Sequence, residues 1–299
     1  MRRYTVVVRA AVVLAVALAA GGCGRWGFAV PLDAVDGGED TDAPGDADLD
    51  VAAPKPDAAV GPDGPLSADA PPGTGDYAVA STSGTFTPIA SGTVVPGFVA
   101  RADDESYPLA LPFAFTFYGV TFTTVNVSVN GYVSFDAPAT GADTALNDCP
   151  LDSSPPGAMI AAFWDDLYAN DAAPAATMTY ATTGTAPDRA ITFEWKDMDA
   201  YYVAGGGNNS FAQGVRVTHQ IVLRENGVIE LRYGPRTAPS GSNANKDCGP
   251  DRHRGCSATV GLEAPASVLF EAIQCGTGAG PGPGYAPIDD GKVITLTPL

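Results

Sequence analysis

From residue 77 onward, apolar side chains recur at every second position in short runs, the period of a strand with one buried face. In Val215-Arg-Val-Thr-His-Gln-Ile-Val-Leu223, residues Val215, Val217, Ile221 and Leu223 share one face, with Arg216, Thr218 and Gln220 opposite. Asn226-Gly227 follows, then the strand pattern Val228-Ile-Glu-Leu-Arg-Tyr233. The same order appears upstream as Val125–Val129, Asn130-Gly131 and Tyr132–Phe135. An Asn-Gly pair between strand patterns signals a hairpin whose two turn residues both take positive φ. Further strands are expected around residues 111–118, 158–164, 176–182, 189–196, 257–263, 268–273 and 291–297. Gly- and Pro-rich loops separate them, notably 203–210, 235–256 and 276–287. Helical periodicity is scarce. The pattern predicts an all-β fold, an antiparallel β-sandwich over residues 77–299, a length one all-β domain can reach.

Before residue 77 the pattern stops. From Pro31 to Gly75 the chain is Asp, Pro, Ala and Gly with no aromatic residue, and cannot bury enough surface to offset the entropy of ordering. Residues 31–76 hold twelve acids against Lys55 alone. The expected form of residues 23–76 is a disordered linker, spanning about 35–40 Å as a coil and about 140 Å fully extended. The formal net charge is −18. No basic stripe exists to hold phosphates, which excludes nucleic acid as a partner. An acidic domain suits cations, cationic partners or plain solubility.

At the N-terminus, Arg2 and Arg3 precede an apolar run from Val6 to Ala20, then Gly21-Gly22. This is the layout of a secretory signal peptide over residues 1–22, and the apolar run is shorter than a membrane span needs. Cys23 directly after the small residues resembles the lipobox of bacterial lipoproteins, although Ala20 stands where Leu is more frequent. The resemblance implies lipidation of Cys23 by a diacylglyceryl group and an N-acyl chain, together enough for stable anchoring. It also implies export to the outer membrane, with the domain at the cell surface, since Gly24 is not the Asp associated with inner-membrane retention. Removing Cys23 leaves Cys149, Cys248, Cys256 and Cys275, an even number in a disulfide-permissive compartment. Of three connectivities, Cys248–Cys256 with Cys149–Cys275 is favoured, worth about 2.6 and about 5 kcal/mol in the chain-entropy model.

The order of three segments carries a second resemblance. Phe115-Thr-Phe-Tyr-Gly119, Val127-Ser-Val-Asn-Gly-Tyr-Val-Ser-Phe135 and Ile160-Ala-Ala-Phe-Trp-Asp-Asp166 together resemble the nidogen-type extracellular (NIDO) domain. That family shows a Phe-Trp-x-Asp element, a strand bearing Trp, a long strand, an Asn-Gly or Asp-Gly turn and a strand ending in Tyr. Phe163–Asp166, Ile191–Trp195, Val215–Leu223, Asn226-Gly227 and Val228–Tyr233 match those pieces, with Ala162 where Pro is usual. The likeness spans roughly residues 111–263. It implies extracellular interaction or adhesion rather than catalysis, and names no ligand.

Candidate chemistry is sparse. Asp165 and Asp166, with Asn170 and Asp171 close behind, offer oxygen ligands to Ca²⁺, which takes six to eight; the same carboxylates also suit turn capping. Calcium through Asp165, Asp166 and Asp171 is the sole cofactor candidate. Glu194 with Asp197 or Asp199 has the composition of a glycosidase pair, but alternation puts Glu194 on a solvent face opposite Ile191, Phe193 and Trp195. His219 falls in the apolar register, as a core histidine does. His253 lies between Cys248 and Cys256, where zinc or a disulfide could be served; export favours the disulfide. Tyr201 and Tyr202, leading into Gly205-Gly-Gly-Asn-Asn-Ser210, are the candidate binding residues. No Gly-x-Ser-x-Gly, His-Glu-x-x-His or phosphate-loop motif is present. The reading is a non-enzymatic surface lipoprotein that presents an interaction or adhesion domain to an extracellular protein or polysaccharide. The alternative is a carbohydrate-binding module or glycoside hydrolase acting on envelope or matrix polysaccharide.

Overall fold

The alternating runs do become strands. The computed structural model describes residues 77–136, 147, 157–172, 174–200, 203–204, 208–209, 215–238, 248–265, 270–276 and 285–299. In chain order the strands are β1 (Tyr77–Ser83), β2 (Thr93–Val94), β3 (Ser106–Phe117), β4 (Val120–Ser128), β5 (Tyr132–Ser134) and β6 (Met159–Trp164). Then follow β7 (Leu167–Tyr168), β8 (Thr177–Thr183), β9 (Ala190–Ala200), β10 (Val203–Ala204), β11 (Asn208–Asn209) and β12 (Arg216–Arg224). The last are β13 (Ile229–Tyr233), β14 (Thr259–Glu263), β15 (Phe270–Gln274) and β16 (Lys292–Pro298). One sheet has the order β1-β16-β13-β12-β9-β8-β2, with β7 also on β9; the other runs β15-β14-β6-β5-β4-β3. All pairings are antiparallel, and β10–β11 forms a separate ribbon. This is the all-β, two-sheet architecture that the alternation predicts.

The inner faces make one core. Met178, Ile191, Phe193, Trp195, Val217, Ile221, Leu223, Leu231 and Leu296 of the first sheet meet Phe115, Phe117, Val125, Val127, Val133, Ile160 and Phe163 of the second. Two buried donors cross that core. Trp195 Nε1 donates to Ser128 O at 2.7 Å, and the Tyr233 hydroxyl to Ala162 O at 2.8 Å. His219 stacks between Trp195 and Phe163, with centroids 4.9 and 5.8 Å away. Burial, then the Arg236 charge, push its pKa down to about 3, so it stands neutral in the core, as its register predicts.

The turns depart from expectation. Neither Asn226 nor Asn130 takes positive φ; only Gly227 and Gly131 do. Gly227 N bonds Arg224 O and Arg224 N bonds Val228 O, giving a three-residue loop in which the left-handed residue is a glycine. The two-residue turn with both φ positive is Tyr118-Gly119, between Phe117 and Val120. Asn130 has a different use: its Oδ1 accepts from Leu167 N at 2.7 Å and its Nδ2 donates to Asp104 Oδ1 at 3.2 Å. Gly131 O accepts from both Ala162 N and Phe163 N. The β4–β5 turn is therefore clamped onto β6 rather than projecting from it.

The sheet order also forces an excursion. β1 and β2 lie at opposite edges of the first sheet, so residues 84–92 must cross its outer face. Six strand spacings make about 29 Å, and nine extended residues with their joining bonds reach about 33 Å. The strap is nearly taut. Gln220 Nε2 donates to Thr87 O at 3.0 Å, and Ile89 N to Glu194 Oε2 at 2.9 Å, fastening it at mid-span. Phe86 lies flat on Gly234, where a Cβ would come within 2.8 Å of its ring.

Gly131 and Gly119 separate two costs of replacing glycine. A Cβ on Gly131 (φ +81) would lie 2.1 Å from Phe163 O, whereas one on Gly119 (φ +75) meets nothing within 4 Å. Gly131→Ala is expected to destabilise by about 3 kcal/mol or more, because backbone must shift, and Gly119→Ala by about 1 kcal/mol. Urea unfolding of both variants checks the difference.

Candidate functional site

Three acidic residues meet where β6 turns into β7. Carboxylate oxygens of Asp103, Asp104 and Asp166 all lie within 4.8 Å of one another. Backbone bonds set this approach. Arg101 N donates to Ala169 O and Ala169 N to Ala102 O, both at 2.8 Å, holding the loop before β3 against the end of β7. Val129 N donates to Glu105 O at 3.0 Å, and Asp103 N to Glu105 Oε2 at 2.7 Å. Burial, reinforced by Asp165, Asp103 and Asp104, pushes Asp166 up to about 7. Burial, with Asp104 and Glu105, pushes Asp103 up to about 6. Like charges at this distance titrate as a coupled set.

The calcium trio expected from sequence is dispersed by comparison. Asp166 stays in the cluster. Asp165, wholly buried, accepts Ser257 Oγ at 2.6 Å and Asp166 N at 2.9 Å, with Arg252 Nη2 at 3.8 Å from it. Asp171 is on the surface in an ion pair with Arg101 at 2.8 Å, which holds its carboxyl below the usual range. Asp103 and Asp104 were not anticipated: their partner lies some sixty residues away, and the backbone bonds of Arg101 and Ala102 with Ala169, together with the β4–β5 clamp, bring the segments together.

Glu194 corrects another expectation. It is 3 % exposed, not on a solvent face, because the strap lies over it. Its Oε2 accepts from Ile89 N and from Gln220 Nε2 at 2.6 Å. Asp199 is equally committed, to Arg216 Nε at 3.1 Å and to Asn170 Nδ2. Cys248 and Cys256 are bonded to each other with Cα atoms 5.8 Å apart, closing a 3-10 turn over Gly249–Arg254. Thiolates so joined cannot bind zinc with His253. Cys275 is disulfide-bonded as well; Cys149, its expected partner, lies outside the described residues, as do Cys23, Tyr201 and Tyr202.

Beside the strap lies a cavity of about 410 Å³, within the range of small-ligand sites. Phe86, Pro88 and Pro235 form its walls, and Lys196, Asp197 and Asp290 supply charge. A bulge places two of these. Between Trp195–His219 and Met198–Val217, β9 carries one residue more than β12, and Asp197 takes φ +56. Such an insertion re-aims side chains out of the alternation. Asp197 N then bonds Thr218 Oγ1 at 3.1 Å. No spacing in the sequence signals the bulge.

The cluster gives a pH signature. Between the ordinary value of 3.8 and about 7, folded Asp166 keeps a proton that the unfolded chain has released, so its contribution to stability falls as pH rises through that window. In EDTA, Asp166→Asn is expected to melt about 2–4 °C above the parent at pH 7.5, roughly 1 kcal/mol, and level with it near pH 4. Calorimetric melting across pH 4–8 measures this; a constant offset would contradict it.

The family model described as NIDO related matches residues 76–278, more than half of the chain and all the strands from β1 to β15. No curated protein and no solved structure matches the chain. The chain belongs to the NIDO-related family.

Proposed function

We propose that the protein is an exported, lipid-anchored and non-enzymatic interaction protein, whose NIDO-related sandwich engages an extracellular ligand at the cavity beside the strap. The observation that carries this reading is the cavity itself: about 410 Å³, walled by Phe86, Pro88 and Pro235, with Lys196, Asp197 and Asp290 at hand. An apolar wall with a few placed charges is how binding sites achieve both affinity and orientation. The carboxylates with the composition of a hydrolase pair support the non-enzymatic side. Glu194, common to the pairs with Asp197 and with Asp199, is fastened to Ile89 and Gln220, and Asp199 to Arg216 and Asn170, so both pairs lack a free Glu194 to protonate a glycosidic oxygen. Membership of the NIDO-related family supports an extracellular interaction domain. Lipidation at Cys23, the outer membrane as destination and the acidic stretch as tether follow from the N-terminal pattern.

Two outcomes test this. Cys23→Ala is expected to move the protein from the membrane fraction to the soluble fraction, assayed by fractionation and acyl labelling; retention in the membrane contradicts the anchor. Full-length protein on glycan and matrix-protein arrays is expected to bind without turnover, and Phe86→Ala to weaken binding at least about tenfold, or 1.4 kcal/mol. Glycan cleavage that disappears in Glu194→Gln would establish the hydrolase instead.

A further inference from the structure

We infer, resting on the binding role proposed for the cavity beside the strap, that its ligand is a neutral polysaccharide laid across the Phe86 ring, with a sugar unit on either side. A second cavity, of about 310 Å³, lies on the other flank of the strap. An extended run sends successive residues to opposite sides. The strap does so: Gly84 and Pro88 line the first cavity, Thr85 and Thr87 the second. Phe86 and Gly291 line both, so the one ring stands between the two. Both volumes fall in the range of small-ligand sites.

Three features select a sugar chain. Phe86 is a supported platform: its ring lies on Gly234, and it is only half-buried, so ring surface stays open. The C–H face of a pyranose packs on such a ring while its hydroxyls reach polar groups around the rim. The bonds at Thr87 and Ile89 hold the strap in place beforehand, so little ordering is left for the ligand to drive. The charges come second. Lys196, Asp197 and Asp290 line the first cavity, and Glu230, Arg232 and Lys292 the second. Three of each sign leave no net charge, in a chain whose formal net charge is −18, and this suits a neutral polymer rather than an acidic or basic one. Lys196 and Lys292 are the only lysines among the described residues; each lines one cavity, and neither enters an ion pair among those residues. Ammonium groups so placed donate to hydroxyls, and the Asp197 carboxylate accepts from them. Third, the strands beneath, β9, β12, β13 and β16, are each paired on both sides. They offer no free edge to which an extended peptide could add.

The test is gel retardation and titration calorimetry of the purified full-length chain with dextran, laminarin, galactomannan and xyloglucan, and with alginate and chitosan as acidic and basic polymers. At least one neutral polymer is expected to bind, more tightly than either charged one. Its oligosaccharides should gain affinity from the monosaccharide to the trisaccharide and then level off, as a chain spanning the ring and both cavities requires. Phe86→Ala should weaken binding at least about tenfold, while Phe86→Trp keeps it. Lys292→Ala, a change confined to the second cavity, should weaken it about threefold or more and carries the test if Phe86→Ala is unfolded. A matrix protein bound through Phe86 while no neutral polymer binds overturns the sugar chain and leaves the first cavity as the binding site. Binding of any ligand that folded Phe86→Ala leaves unchanged overturns both readings. Full affinity for a monosaccharide, tighter binding of alginate or chitosan, or unchanged binding in Lys292→Ala overturns the neutral chain spanning two cavities.

Discussion

The Ser128–Gly131 corner is the point on which both sheets depend. Ser128 O receives the indole N–H of Trp195 from the opposite sheet, and Gly131 O receives the amides of Ala162 and Phe163 from β6. Ala162 in turn offers its carbonyl to the Tyr233 hydroxyl, again from the opposite sheet. Each bond is buried, so losing either partner strands a polar group in a medium that cannot hydrate it. Apolar packing alone tolerates sliding between layers; directional bonds from Trp195 and Tyr233 fix where the layers stop. The close approach at Gly131 leaves no room for a side chain, which makes this corner a requirement of the packing rather than a flexible turn.

What the corner holds on its outer side follows from the same geometry. Asn130 reaches Leu167 N and Asp104, so the β6–β7 turn and the loop before β3 converge on it. That convergence packs three carboxylates into one small volume, where burial first and mutual repulsion second raise the pKa of Asp166 and Asp103. Each ionisation there makes the next one harder.

The taut strap decides the chemistry of the other exposed face. Without it, Glu194, Gln220 and Thr218 would form a polar surface; beneath it they are buried, with Gln220 donating to Thr87 O and Glu194 accepting from Ile89 N. The cavity exists because the strap stands beside the β9 bulge. The other sheet manages its edge differently. β3 carries Pro108 and Pro112, which have no N–H to offer and so discourage pairing with a further strand.

The strands were legible because alternation is a local property: β6, β8, β12 and β13 begin or end within a residue or so of the apolar runs that announce them. The core position of His219 was legible for the same reason, as was the Cys248–Cys256 bridge from its short spacing. β1 was not anticipated, because Tyr77–Ser83 has only Tyr77 buried and becomes a strand by pairing with β16. The Asn-Gly turns were located correctly but given the wrong conformation, since Asn130 is drawn into long-range bonds that no dipeptide rule contains.

By itself, then, the sequence determined the fold class, the family and the division between an acidic stretch and a sandwich, all of which are written in period and composition. Only the tertiary structure decided which acids share a site, that Glu194 lies under a strap, and where the cavity opens. Those outcomes depend on contacts between residues tens to more than a hundred positions apart. Their geometry is set by sheet order and one clamped corner, and neither leaves a mark in local periodicity.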